Sequence, residues 1–161
     1  MVVTITNELN QRLIKICEDG FPYEVCGYLL GEVDRAANGL ITTYSITGVF
    51  PVKNINEVNP KRMFNINPLD FVKAEEAAKK KSISLLGVYH SHPDEDSYAS
   101  STDNAYCQID MCALKYSIKQ TNFTAVTPFM PKIDDDNATY IHCNDNDNWL
   151  RMKYLKTKIE F

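Results

Sequence analysis

The sequence predicts one α/β (α+β) domain, a mixed β-sheet flanked by helices. Two segments, 6–20 and 68–82, carry helix-type caps and patterns. Several short runs of strand length lie around them, among them 26–33, 40–52 and 84–90. The 161 residues suit a single domain, 1–161, with a sizeable buried core.

The first helix, TNELNQRLIKICEDG, is capped by Thr6 or Asn7. Leu9, Leu13, Ile14 and Ile16 or Cys17 form its apolar face, and Gly20 stops it. CGYLLGEV (26–33) and LITTYSITGVFPV (40–52) are strands joined by a turn at DRAANG. KRMFNIN (61–67) alternates Met63 and Asn65 with Phe64 and Ile66, which predicts a short strand. In the second helix Pro68 sits in the first turn, acids come early and three lysines come late, matching the helix dipole. SLLGVYH (84–90) is apolar on both faces, as a central covered strand should be. A short helix is expected near Ser101 or Thr102. Residues 122–130 and 138–143 have strand patterns, CALKYSIKQTNF (112–123) is ambiguous, and 149–161 fits helix or strand. The acidic stretches DDDN and NDNDN suit solvated loops.

Composition narrows the function. The chain is 44% hydrophobic and 24% charged, with a net charge of −4. That balance gives no electrostatic reason to expect nucleic acid or an anionic membrane as partner. No window approaches the run of about 18 apolar residues of a membrane helix. The N-terminus lacks a basic flank before an apolar stretch, so a cytoplasmic protein is expected. The five cysteines, Cys17, Cys26, Cys107, Cys112 and Cys143, form no C-x-x-C pair, so reduced, mostly buried thiols are expected.

Two of the three histidines, His90 and His92, stand in GVYHSHPDEDSYASSTD. Residues two apart in a strand point to the same face, so both imidazoles leave the sheet together. Pro93 cannot extend a ladder and ends the strand. Asp103 can fold back across the loop as a third ligand. Two imidazoles and a carboxylate suit zinc, and three protein ligands leave a position for water, as in catalytic sites. Such a metal brings the pKa of its water down to about 7 and polarises a carbonyl. The same residues have plainer readings. An H-x-H in a strand arises by chance, and Ser100 to Asp103 fits a helix capping box. Asp94, Glu95 and Asp96 suit a solvated loop, and His142 an ordinary surface or core position.

The spacing His90, His92, Ser100, Asp103 spells H-x-H, seven residues, S, two residues, D. This resembles the signature of the JAMM (MPN+, Mov34/PAD-1) metalloprotease family. PYEVCGYLLG (22–31) is similar to that family's upstream P-x-E-x-C-G-x-L-x-G element, and RMFNINP (62–68) and GVYHSHP (87–93) are similar to its prokaryotic members. The resemblance covers residues 1 to 112, in matching order, and implies the JAB/MPN (cytidine-deaminase-like) fold. It implies that His90, His92 and Asp103 hold zinc, that Glu24 is the general base, and that Ser100 donates a hydrogen bond to the oxyanion. Glu24 would not be chosen among the chain's acids without it. Cys26, two residues on, faces the same way and suits a buried core thiol.

Family members hydrolyse peptide or isopeptide bonds after the C-terminal tail of ubiquitin-fold proteins. The resemblance therefore implies a zinc peptidase or isopeptidase with a ubiquitin-like protein as substrate, in sulfur-carrier trimming or deconjugation. It leaves the oligomeric state open. Two alternatives belong to other classes: a zinc hydrolase of a small amide or peptide, and a non-catalytic MPN-type scaffold. The five intact site residues disfavour the scaffold. The chain departs from the family at 112–123, where a regular strand is expected, and at the acidic 131–148, which has no placed counterpart.

Overall fold

The computed structural model describes residues 2–95, 111–118, 124–130, 139–140 and 158–160, the last three segments as backbone. Its strands and helices follow one another as β1 (Val2–Ile5), α1 (Asn7–Gly20), β2 (Cys26–Arg35), β3 (Ile41–Val52), α2 (Pro68–Lys80), β4 (Ser84–Pro93), β5 (Cys112–Ile118), β6 (Thr124–Met130), β7 (Thr139–Tyr140) and β8 (Lys158–Glu160). The strands form one mixed sheet in the order β7-β6-β5-β4-β2-β3-β1-β8. β2 runs antiparallel to both β3 and β4, while β4 and β5 run parallel. The fold is α+β, as the sequence predicts.

Both helices start where their side chains cap them. Thr6 Oγ1 accepts the Leu9 N–H at 3.2 Å, and Asn67 Oδ1 accepts the Leu69 N–H at 3.0 Å ahead of Pro68. Each cap satisfies an N–H that has no partner within the helix. α1 buries Leu13 and Cys17 against Leu29, Tyr89, Leu114 and Tyr116 on one face of the sheet. Its Asn10 accepts a hydrogen bond from the Tyr116 hydroxyl at 3.0 Å. α2 buries only Ala74 and Ala78, against Tyr28, Leu30 and Val88 on the opposite face. Cys17, Cys26 and Cys112 are all buried, as expected of core thiols.

β4 is central, between β2 and β5, and is buried over most of its length. It lies so near β5 that a Cβ on Gly87 would fall inside the Cys112 carbonyl. Only glycine permits that approach.

Two expectations change, and two segments left open prove to contain strands. Residues 61–67 are not a strand. Asparagine side chains replace the ladder there: Asn54 Oδ1 accepts the N–H groups of Asn56 and Asn65 at 3.0 and 3.1 Å. Asn56 Oδ1 accepts those of Val58 and Asn59. Such local bonds compete with sheet pairing. Residues 112–118, ambiguous in sequence, form β5. Val2–Ile5, not expected as a strand, pairs parallel with β3. Within 149–161, residues 158–160 are strand. The helix expected near Ser101 lies outside the described residues.

Candidate metal and catalytic site

The end of β4 carries the two histidines. Val88 packs into the α2-side cluster, and alternation places His90 and His92 on that face too. Both are buried, and their Nε2 atoms approach to 2.9 Å. The Phe64 ring packs on His90, 4.7 Å between centroids and tilted by 32°. Ser91, between them, belongs to the other face. Its N–H donates to the Val25 carbonyl, and its Oγ accepts the Val25 N–H, both at 3.0 Å. That pair locks the start of β2 to the end of β4.

Glu24 lies just before β2 and is 5% exposed. Cys26 pairs with His90 in the β2–β4 register. Continuing that register two steps sets Glu24 opposite His92. The Glu24 N–H donates to the Pro60 carbonyl at 2.8 Å, and its carbonyl accepts from Asn54 Nδ2 at 3.0 Å. Burial pushes the Cys26 thiol up to about 12, and the charges of Glu24 and Asp70 add to the effect. Cys26 is thus a neutral thiol beside the site, in keeping with its reading as core.

β5 completes the other side. Lys115 pairs with His90 and Ser117 with His92 in the parallel register, and both are buried. The turn after β4 is pinned to β5. The Asp94 N–H donates to the Ile118 carbonyl at 2.8 Å, and Ser117 Oγ donates to the Glu95 carbonyl. Asp94 takes a left-handed φ of 55°, which aspartate tolerates better than most residues. Glu95 is partly exposed, as expected of a solvated loop residue, and forms a surface ion pair with Arg62 from the β3–α2 connection.

The structure thus brings together His90, His92 and, through the strand register, Glu24. Ser100 and Asp103 lie outside the described residues. Among the described residues no third histidine, cysteine or carboxylate joins the pair in a metal-binding group. Sequence reasoning missed Asn54, Phe64 and Lys115. Phe64 had a signal, since RMFNINP was singled out; Asn54 had only the density of asparagines around it.

The donor set fits zinc. Two imidazole nitrogens at tetrahedral zinc, each about 2.0–2.1 Å from the metal, stand about 3.3 Å apart. The observed 2.9 Å needs only a small opening of the pair. Two buried nitrogens converging on one point, at the end of a rigid central strand, form a preset half-site.

An α+β sheet presents paired imidazoles at the end of a central strand, with a buried carboxylate just before the neighbouring strand, a set of donors suited to a metal. The family model for prokaryotic homologs of the JAB domain matches residues 6–149. The chain belongs to that family. It is 33% identical over 82 residues to a desampylase of Haloferax volcanii, a match covering 51% of this chain and 52% of that protein. It is 31% identical over 85 residues to a probable TtuB-protein conjugate cleaving protease of Thermus thermophilus, covering 52% and 57%. These matches thus span about half the length of the curated relatives. A solution structure of a Desulfitobacterium hafniense protein shares the fold, with a TM-score of 0.70 at 20% identity, covering 87% of this chain and 89% of that one. Among the described residues no helix is long and apolar enough to cross a membrane.

Proposed function

We propose that the protein is a zinc-dependent peptidase or isopeptidase acting in the cytoplasm. It hydrolyses the bond after the C-terminal tail of a ubiquitin-like protein. The observation that carries this reading is the 2.9 Å approach of the buried His90 and His92 nitrogens, with Glu24 buried just before the neighbouring strand β2. Family membership supports it, as do relatives named for cleaving a protein conjugate and for desampylation.

His90, His92 and Asp103 would hold the zinc. When bound, zinc supplies the Lewis acidity that polarises the scissile carbonyl and lowers the pKa of the attacking water. Glu24 takes the proton from that water and returns it to the leaving amine. Ser100 donates a hydrogen bond to the oxyanion that forms at the scissile carbonyl. Burial of Glu24 and both imidazoles excludes bulk water, so these interactions act in a low dielectric where they are strong.

The test is intact-mass analysis of a ubiquitin-fold panel incubated with the zinc-loaded protein. The panel holds sulfur-carrier-like proteins with C-terminal extensions, linear fusions and isopeptide-linked conjugates. Cleavage after the tail is expected. Zinc binding without cleavage of any member, together with turnover of a small amide, would replace this reading.

A further inference from the structure

We propose that Asn54 is a positioning residue for the Glu24 carboxylate, acting through the Glu24 backbone. The inference rests on the reading of Glu24 as general base. Glu24 is buried but lies outside any strand, so its N–H and C=O need partners that no ladder provides. Val25 is held on the β4 side by Ser91. On the β3 side, Cys26 pairs with Val52, where β3 ends. Two further steps of that register bring Asn54 opposite Glu24. There a side chain takes over from the ladder.

The Asn54 carboxamide is fully used. Its Nδ2 donates to the carbonyls of Glu24 and Met63, each at 3.0 Å. Its Oδ1 accepts from the N–H groups of Asn56 and Asn65. Two donors and two lone pairs are the whole inventory of the group. The partners fix its orientation, because the nitrogen faces carbonyls and the oxygen faces N–H groups. Met63 precedes Phe64, whose ring packs on His90. One amide therefore ties the base to the wall that supports a metal-binding imidazole. The Pro60 carbonyl, accepting the Glu24 N–H, closes the clamp from the same connection.

Asn54→Asp keeps the shape and both acceptor contacts but has no donor for Glu24. In this variant the Glu24 carbonyl-carbon NMR resonance should move upfield, the signature of a C=O that has lost a hydrogen-bond donor. Zinc content should be unchanged. On whichever panel member the wild type cleaves, kcat should fall about 10- to 100-fold, the scale of a misplaced catalytic group, with KM within about twofold. In the Glu24→Gln background, single-turnover rates should show no further loss. Asn54→Gln, which keeps donor and acceptor, should restore the carbonyl shift and the rate at least in part. If Asn54→Asp does not fold, Asn54→Gln against Asn54→Ala carries the same comparison. An unchanged Glu24 carbonyl shift, or an equal loss of rate in the Glu24→Gln background, overturns the proposal. If the wild type cleaves nothing, the functional reading fails, and the carbonyl shift still decides the link between Asn54 and Glu24.

Discussion

Under α1 the sheet is closed by large side chains. Leu13, Leu29, Tyr89, Leu114 and Tyr116 are all fully buried there. Under α2 the helix contributes only Ala74 and Ala78, and further along the same face come His90, His92, Lys115 and Ser117. Apolar burial stabilises by roughly 25 cal/mol per Å², so the α1 face carries most of the stability. The α2 face can then hold buried polar groups, which cost free energy unless paired. The two faces thus differ in what they bury, an apolar core on one and polar groups at the candidate site on the other, although they share strands.

The largest effect expected is on the chemical face. Glu24→Gln should lower turnover by about 100- to 10,000-fold, while zinc stoichiometry and melting temperature stay near wild type. An active variant would remove Glu24 from the mechanism. Leu114→Ala should do the opposite. It should cost about 2–5 kcal/mol in urea unfolding and leave kcat per folded molecule unchanged. A matching loss of kcat would mean the faces are not separable.

Alkaline pH probes the dry face. Burial raises the Cys17 thiol above its ordinary value of 9.0, with Glu18 adding a smaller push in the same direction. Below that value both folded and unfolded chains hold the proton, and stability is complete. Above it the unfolded chain releases a proton that the folded chain keeps, so stability falls as pH rises. The slope should reach about 1.4 kcal/mol per pH unit for this group. Urea midpoints between pH 8 and pH 10.5 should show the fall, and Cys17→Ala should make it shallower, leaving the part that the buried Cys26 thiol contributes. The smallest effects come from two tyrosines. Tyr116→Phe removes the bond to Asn10 and should cost about 1 kcal/mol. The Tyr89 hydroxyl is buried without a hydrogen-bond partner among the described residues, so Tyr89→Phe should be neutral or stabilising. Equal costs would show that Tyr89 has a partner after all.

What the sequence reveals follows the same division. Both helices were legible because caps and charges are local signals: Thr6 and Pro68 act as expected, and Asn67 adds a cap that was not foreseen. β4 was legible because both of its faces are covered. β5 was not, because Lys115 and Ser117 turn toward the site and interrupt the apolar run. Residues 61–67 misled because alternation reports spacing, whereas Asn54 and Asn56 redirect the hydrogen bonds around them. The histidine pair was visible from period two alone. Glu24 needed the family resemblance, since nothing local marks one acid among 21 acidic residues. Asn54 remained hidden because its partners, Glu24 and Met63, are separated from it in sequence by turns.

Gly87 has no side chain and stands three residues before His90, yet its missing Cβ is what lets β4 settle against the Cys112 carbonyl. That contact sets the strand spacing from which His90 and His92 are measured against Lys115 and Ser117. In an unbiased mutational screen for activity, Gly87 would therefore score alongside His90 and His92. A ranking of positions by sensitivity would count among the reactive groups a residue whose whole contribution is room.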